Sequence, residues 1–244
     1  MNMPKHFFFD LDNTLTRSKS LIEPEHAGIL RSLSDHADVI VVSGSHQDVI
    51  RKHLGQSLEG RYRILSQNGN YATDLNGTVL WERRLNDAQK NAVYQFIEEV
   101  KRYAQLSVKN ERDLVEDRGC QISYSLIGHN EDVSKKEKFD PDFSKRLALL
   151  KHFHKEVERL DRDLSIEIKI GGTTCLDIFE RGKNKGYGVA ELVRLMDWKK
   201  EECMYVGDAL FPGGNDETVI GVIPTKLVTD YHDTYEYLKR VLSS

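Results

Sequence analysis

The stretch FFFDLDNTLT, residues 7–16, ends a run of aromatic residues with Asp10 and Asp12, two positions apart. The run before Asp10 predicts a short buried strand, and similar apolar runs recur at residues 39–42 and 63–65. Segments with helical periodicity separate these runs, which is typical of βαβ units and a parallel sheet. The stretch therefore opens an α/β domain and places two carboxylates at the end of its first strand.

The pattern changes near residue 83. An amphipathic helix is predicted to start at Asn86, and alternating apolar and polar residues at 120–126 and 164–170 predict strands that each have one wet face. A second long helix is predicted over residues 147–160. Antiparallel strands and helices of this kind indicate an α+β domain.

The first pattern returns after residue 182. It predicts a helix over residues 185–196, strands at 203–206 and 221–223, and a final helix from Tyr231. The simplest account is one α/β core interrupted by an insert. We therefore expect a Rossmann-like parallel-sheet core formed by residues 1–82 and 183–244, and an inserted α+β domain formed by residues 83–182.

Composition excludes several classes of protein. The 244 residues are 39% hydrophobic, which is enough to bury a core, and the formal net charge of -4 gives no basic tract for nucleic acid. The three cysteines show no CxxC spacing and predict neither a disulfide framework nor a zinc site. No apolar run has the length of a signal sequence or a membrane span. We expect a cytoplasmic protein without nucleic-acid or membrane partners.

Polar residues follow three of the predicted core strands, and parallel α/β sheets bind ligands beyond the carboxyl ends of their strands. Asp10 and Asp12 follow the first strand, Ser43 follows the second, and Asp208 follows a late one. Each alone could form a turn or cap a helix. Three acids in one crevice repel each other unless a cation is present, and oxygen ligands favour Mg²⁺, which commonly works beside phosphate. Beside Mg²⁺, a carboxylate can approach phosphate, and an aspartate can then serve as a nucleophile in phosphoryl transfer.

These motifs resemble the haloacid dehalogenase superfamily. DLDNTLT matches its DxDxT signature, while Ser43, Lys185 in RGKNKG, and Asp208 resemble its other three motifs in the expected order. The insert resembles the type IIB caps of that superfamily. GDALFPGGND, residues 207–216, is similar to the last motif of eukaryotic-type phosphomannomutases, and the likeness to that family covers essentially the whole chain.

The resemblance implies roles for the core residues. Asp10 would be the nucleophile and Asp12 the acid/base, while Ser43 and Lys185 would hold the transferring phosphoryl group. The implied Mg²⁺ ligands and their neighbours are Asp10, the backbone carbonyl of Asp12, Asp208, Asn215 and Asp216. Lys185 has a second interpretation as a solvated lysine at a helix start, and Tyr205 is expected to belong to the core.

In the insert, the resemblance implies that Arg118 and Asp177 bind the second phosphate and a sugar hydroxyl of the substrate. The sequence departs from the family elsewhere: His129, Lys136 and Lys19 stand where arginines are usual, and Cys175 replaces a serine. Lysine is a point charge and histidine is often neutral, so phosphate binding by this set is expected to be weaker or differently aimed. The alternative is that Arg118, His129 and Lys136 are ordinary surface charges.

Three functions remain open. A mutase returns phosphoryl from the aspartyl phosphate to a sugar hydroxyl, a phosphatase gives it to water, and an inactive sugar-phosphate binder transfers nothing. The binder is disfavoured because no motif residue is missing. We expect a Mg²⁺-dependent phosphomannomutase-like enzyme that interconverts mannose 6-phosphate and mannose 1-phosphate, as in GDP-mannose biosynthesis, with a sugar-phosphate phosphatase as the alternative. The resemblance also suggests a homodimer formed through the cap.

Overall fold

The computed structural model describes residues 3–212 and 214–243, and the chain divides into two compact units. One unit comprises Met1–Glu82 and Lys183–Ser244, and the other is Arg83–Gly182. The strands are β1 (His6–Phe9), β2 (Asp38–Val42), β3 (Arg63–Ser66), β4 (Tyr71–Thr73), β5 (Val79–Glu82), β6 (Val115–Asp117), β7 (Gln121–Ser125), β8 (Ile166–Gly171), β9 (Cys175–Glu180), β10 (Cys203–Gly207) and β11 (Thr225–Leu227). The α-helices are α1 (Pro24–Ser34), α2 (Gln47–Leu54), α3 (Asp87–Ala104), α4 (Val133–Phe139), α5 (Ser144–His152), α6 (His154–Leu164), α7 (Lys185–Leu195) and α8 (Tyr231–Leu242).

The discontinuous unit contains a sheet of the order β11-β10-β1-β2-β3-β4-β5. β1 pairs in parallel with both β10 and β2, whereas β4 and β5 form an antiparallel edge. Phe7 and Phe9 pack into one buried cluster and Phe8 into another, because successive side chains of a strand point to opposite faces. Both faces of β1 are therefore covered, and the α/β prediction is confirmed.

The continuous unit, which we call the insert, contains an antiparallel sheet of the order β6-β7-β9-β8. Its core is apolar and includes Phe96 of α3, Ile122 of β7 and Ile178 of β9. At the start of α3, the side chain of Asn86 accepts a hydrogen bond from the backbone of Gln89 and the side chain of Gln89 accepts one from Asn86. This capping box fixes the first residue of the helix.

Three local predictions are wrong. The predicted wet face of β7 is buried, because Ser123 donates to Asp177 and the hydroxyl of Ser125 lies 2.9 Å from that of Thr174. The single helix over residues 147–160 is two helices that break at Phe153. Residues 221–223 form a turn with Gly221 at a φ of 84°, and the strand follows at β11.

Among the described residues, no helix combines the length and apolarity needed to cross a membrane.

Candidate active site

Two neighbouring strands bring acidic side chains together at their carboxyl ends. Asp10 follows β1 and Asp208 follows β10, and the two strands are paired in parallel. Asp216 lies in the loop after β10, and carboxylate oxygens of these three residues all lie within 4.8 Å of one another. Asp10 and Asp216 are buried. The sheet order therefore brings Asp10 close to acids that follow it by 198 and 206 positions in the sequence.

Lys185 brings a positive charge into this acidic group. Its Nζ lies 2.6 Å from Asp10 Oδ1 and 2.8 Å from Asp216 Oδ1, and only 1% of its surface is exposed. The interpretation of Lys185 as a solvated helix-start lysine is therefore wrong. A buried lysine of this kind holds two carboxylates in place that would otherwise repel each other.

The start of α7 is built to position Lys185. Asn184 caps the helix by accepting a hydrogen bond from the backbone of Tyr187. Gly186 follows Lys185, and a Cβ at this position would overlap the carbonyl oxygen of Thr218. The first turn of α7 can thus approach that loop only because residue 186 has no side chain.

The electrostatics of the group favour a divalent cation. Burial raises the pKa of Asp10 well above its ordinary value, and the charges of Asp216 and Asp208 raise it further, although Lys185 opposes them. Burial and Asp216 likewise raise the pKa of Asp208. Burial would lower the pKa of Lys185, but Asp10 and Asp216 outweigh it and raise that pKa. Three carboxylates and one ammonium leave a formal charge of -2, and all the candidate ligand atoms are oxygens, so this donor set fits Mg²⁺.

Two further residues belong to the group and were not predicted from the sequence. Thr14 donates from Oγ1 to Asp208 Oδ1 and accepts from the Asp208 backbone, at 3.1 Å in each case. The Tyr205 hydroxyl donates to Asp216 Oδ1 at 2.6 Å. Tyr205 is buried as expected, but its hydroxyl contacts the site. The sequence contains a signal for Thr14, because Thr14 is the threonine of the DxDxT motif. No sequence pattern around Tyr205 indicates that its hydroxyl bonds to Asp216.

The other predicted core residues have separate surroundings. Ser43 is buried after β2 and its hydroxyl accepts a hydrogen bond from the backbone of Ser45 at 3.1 Å. Asp12 is half-buried, and its carboxylate accepts a hydrogen bond from the backbone of Lys19 at 3.0 Å. The side chains of Lys19 and Asn215 are exposed. The side chains of Asp12 and Asn215 are therefore more exposed than those of Asp10 and Asp216.

The predicted residues of the insert form a connected set of polar side chains. We call it the insert polar cluster, and it comprises Glu116, Arg118, Ser123, His129, Lys136, Cys175 and Asp177. The Arg118 guanidinium donates to Glu116, and Lys136 donates from Nζ to the carbonyl oxygen of His129 at 2.9 Å. His129 and Lys136 are buried, so the interpretation of these two residues as surface charges is wrong.

Asp177 lies in this cluster on β9. Its carboxylate accepts a hydrogen bond from the Ser123 hydroxyl at 2.8 Å, and a Cβ at Gly171 would overlap it. Cys175 lies two positions earlier on the same strand and is half-buried. Residues i and i+2 of a strand point to one face, so Cys175 and Asp177 share a face of the sheet.

Comparison with protein families identifies a matching model over most of the chain. The model of haloacid dehalogenase-like hydrolases matches residues 7–216. A phosphomannomutase from Oryza sativa subsp. indica is 29% identical over 247 residues, which cover 97% of this chain and 95% of that protein. Phosphomannomutase 1 from Dictyostelium discoideum is 27% identical over 243 residues, covering 96% of this chain and 94% of that protein.

Solved structures share the fold. A haloacid dehalogenase-like hydrolase from Bacteroides thetaiotaomicron aligns with a TM-score of 0.66 at 18% identity, covering 98% of this chain and 99% of that one. The N-terminally truncated IMP-nucleotidase of Plasmodium falciparum aligns with a TM-score of 0.69 at 16% identity, covering 98% of this chain and 70% of that one. At such identities the likeness concerns the fold alone.

Proposed function

This chain belongs to the haloacid dehalogenase-like hydrolase family. We therefore propose that it transfers phosphoryl groups of hexose phosphates through Asp10. The observation that carries the proposal is the buried contact of Asp10 with Lys185 beside Asp208 and Asp216. A buried carboxylate whose charge is balanced by a fixed ammonium is held in one orientation, as a nucleophile requires.

Mg²⁺ is the cofactor that this donor set fits. Asp10, Asp208 and Asp216 would hold it, together with the backbone carbonyl of Asp12 and with Asn215 nearby. When bound, the cation offsets the negative charges of carboxylates and phosphate that otherwise keep the two apart.

Four residues have separate roles in the proposed phosphoryl transfer: Asp10, Asp12, Ser43 and Lys185. The Asp10 carboxylate attacks phosphorus, so that an O–P bond forms on Asp10 while the bond from phosphorus to the sugar oxygen breaks. Asp12 gives its proton to that leaving oxygen, and in the second half-reaction takes a proton from the attacking hydroxyl. Lys185 and Ser43 bind oxygens of the phosphoryl group in transit.

We favour a sugar hydroxyl as the acceptor, which makes the enzyme a phosphomannomutase. The support is the near-full-length similarity to proteins named phosphomannomutase, and the motif GDALFPGGND. In this mechanism a hexose bisphosphate forms, turns over and returns its other phosphate to Asp10. Contacts to the distal phosphate and hydroxyls are assigned to Lys19, Arg118, His129, Lys136, Cys175 and Asp177. Assembly as a homodimer through the insert remains a prediction from the resemblance, and a cytoplasmic location remains a prediction from the composition.

A phosphatase is the second candidate, and one observation favours it. The cationic groups of the insert polar cluster already have partners inside the insert: Arg118 pairs with Glu116, and Lys136 bonds to the His129 carbonyl. Cations that are engaged in this way bind a second phosphate less strongly than a fork of arginines. A poorly held bisphosphate would leave water as the acceptor.

Two assays on one substrate panel separate the candidates. Mannose 1-phosphate with Mg²⁺ and a trace of hexose bisphosphate should give mannose 6-phosphate; release of inorganic phosphate without isomer would refute the mutase and support the phosphatase.

Asp10→Asn should lower either activity by at least about a thousandfold while leaving the circular dichroism spectrum unchanged, because the amide oxygen is a poor nucleophile. Asp48→Asn, at an exposed carboxylate, is the control and should keep full activity.

Mg²⁺ binding is tested without turnover. At a Mg²⁺ concentration about 100 times its dissociation constant, the folded protein should gain about 2.7 kcal/mol in the free energy of unfolding. Asp208→Asn should remove most of this gain, and Asp48→Asn should keep it. A denaturation midpoint that does not respond to Mg²⁺ in the unsubstituted protein would contradict the assignment of the metal site.

A further inference from the structure

Cys175 lies beside a histidine in the insert polar cluster. Its Sγ is 3.9 Å from His129 Nδ1, and the Thr174 hydroxyl lies 4.0 Å from the same sulfur. His129 is buried and Cys175 is half-buried. The arrangement places a nucleophilic atom against a proton acceptor. Both residues belong to the insert, whereas the carboxylates of the candidate active site belong to the discontinuous unit.

The backbone fixes which nitrogen of His129 faces the thiol. His129 Nε2 lies 3.1 Å from the carbonyl oxygen of Ser123, and a carbonyl oxygen only accepts hydrogen bonds. Nε2 therefore carries a proton, which leaves Nδ1 to take the proton of the Cys175 thiol. The result of that transfer is a thiolate beside an imidazolium.

Charged groups from every side act on this pair. Glu116 Oε1 lies 3.6 Å from His129 Nδ1 and stabilises the imidazolium, and the charge of Lys136 stabilises the thiolate. Arg118 opposes the charge on His129, and Asp177 opposes the charge on Cys175. The largest stabilising interaction for each group is the contact with the other, between Cys175 Sγ and His129 Nδ1.

The balance is visible in the pKa values. Burial alone would raise the pKa of Cys175, but the His129 side chain outweighs it and the pKa is lowered. Burial alone would lower the pKa of His129, but Cys175 and Glu116 outweigh it and the pKa is raised. The two shifts have opposite signs, as an ion pair requires.

The other two cysteines are more deeply buried than Cys175. Cys120 and Cys203 are fully buried, and burial raises the pKa of the Cys203 thiol to about 11. The Cys203 thiol donates to the carbonyl oxygen of Lys199. The chain thus contains its own reference thiols for the behaviour of Cys175.

We propose that Cys175 and His129 form a thiolate–imidazolium pair that makes Cys175 the site of covalent modification by hydroperoxides and soft electrophiles. The thiolate is the nucleophilic form of cysteine, and a partly exposed thiolate held by a histidine reacts faster than a buried thiol. Both residues of the pair belong to the insert.

The reaction with hydrogen peroxide balances as follows. The Cys175 sulfur attacks one peroxide oxygen, so that an S–O bond forms and the O–O bond breaks. Hydroxide leaves and takes the proton from His129 to become water. The sulfur loses two electrons, the peroxide gains two, and Cys175 becomes a sulfenic acid. Two equivalents of an added thiol reverse the change, giving water, a disulfide of the added thiol and the free Cys175.

Oxidation would alter the surroundings of Asp177, which shares a face of β9 with Cys175. If the insert polar cluster binds substrate, a consequence that rests on the proposed function, oxidation of Cys175 raises KM for the hexose phosphate reversibly. The modification of Cys175 does not depend on enzyme activity. The proposed function and the proposed modification can therefore be refuted independently of each other.

The test is alkylation of the full-length protein by iodoacetamide between pH 6 and pH 10, followed by mass spectrometry of the three cysteine peptides. We expect Cys175 to react with a midpoint below about 8.5, the value for an ordinary thiol, while Cys120 and Cys203 stay unmodified over the same time. Treatment with hydrogen peroxide and a sulfenic-acid trapping diketone should label the Cys175 peptide and no other.

Two variants report on the pair. His129→Gln should move the midpoint upward and slow alkylation of Cys175 at pH 7 about tenfold for each unit of pKa change. Glu116→Gln should slow it to a smaller extent. A midpoint at or above about 8.5 in the unsubstituted protein, or an unchanged midpoint in folded His129→Gln, would overturn the proposal; if His129→Gln does not fold, the profile of the unsubstituted protein decides alone.

Discussion

The hydroxyl of Tyr205 shows what a single side chain contributes to the candidate active site. Burial of Tyr205 followed from its position in an apolar strand, but its 2.6 Å hydrogen bond to Asp216 did not. Asp216 also accepts from Lys185, so Tyr205 helps to fix the orientation of a carboxylate that is assigned to the metal. Hydrophobic periodicity predicts that a residue is buried, whereas the partner of its polar atom depends on how distant segments meet.

Tyr205→Phe should therefore lower the free energy of unfolding and raise the Mg²⁺ concentration that turnover requires. Loss of a hydrogen bond to a buried carboxylate should cost about 1.5–3 kcal/mol in the free energy of unfolding, and turnover should require more Mg²⁺. Tyr235→Phe is the matched control, because the Tyr235 hydroxyl donates at 2.8 Å to the backbone carbonyl of Leu15, where no metal ligand is involved. It should cost about 0.5–1.5 kcal/mol and leave the Mg²⁺ dependence unchanged. Equal Mg²⁺ dependence in the two variants would contradict the role given to Tyr205.

At the scale of elements, the parallel strands were the most predictable part of the fold. β1, β2 and β10 are buried on both faces, so continuous apolar runs such as residues 39–42 mark them plainly. Because Asp10 and Asp208 each follow the end of a parallel strand, the sequence also predicted that the two residues lie at one site. The lysine that pairs with Asp10 was suggested by a motif, and its burial became apparent only from the packing of α7.

Two of the wrong local predictions lie in the insert. β7 alternates apolar and polar residues, which normally means one wet face, but its serines find partners within the insert and are buried. The interruption between α5 and α6 falls at Phe153, an apolar residue that continues the helical pattern without a break. For β7 the tertiary contacts of the serines determined the outcome, and a local pattern does not contain them. Nothing in the structure explains why the helix is interrupted at Phe153.

Two glycines inside helices illustrate the difference between local and tertiary constraints. A Cβ at Gly28 in α1 meets no atom within 4 Å, whereas a Cβ at Gly186 in α7 overlaps the Thr218 carbonyl. Gly28→Ala should raise the free energy of unfolding by about 0.5–1 kcal/mol, because alanine restricts the unfolded chain. Gly186→Ala should lower it by about 1–3 kcal/mol and lower turnover by displacing Lys185. Urea denaturation of the pair measures both signs; equal effects would refute the close approach.

At the scale of the whole molecule, buried phenols set an upper pH limit for stability. Burial raises the pKa of Tyr62, in the discontinuous unit, and of Tyr124, in the insert, from 10.0 to about 12. Between pH 10 and pH 12 the unfolded chain has lost these protons while the folded chain keeps them. The folded state therefore binds more protons, and its stability falls as the pH rises through this window.

Each such phenol should add a slope of at most about 1.4 kcal/mol per pH unit to the loss of stability. Urea denaturation at intervals from pH 9 to pH 11.5 measures that slope. Tyr62→Phe should make the decline shallower, whereas Tyr103→Phe, at an exposed ring, should leave it unchanged. A Tyr62→Phe protein that declines as steeply as the unsubstituted one would exclude Tyr62 as a cause.

The order of the main sheet also determines how this protein is assembled during synthesis. β1 pairs with β2, and both strands are complete by residue 42. The other neighbour of β1 in the sheet, β10, begins only at Cys203. Until the ribosome has released that segment, one edge of the strand that carries Asp10 has no partner from its own sheet, and open edges invite pairing with other chains. The insert is continuous in sequence and is synthesised in the meantime. The nascent chain thus carries an unprotected strand edge for as long as it takes to translate about two-thirds of the protein.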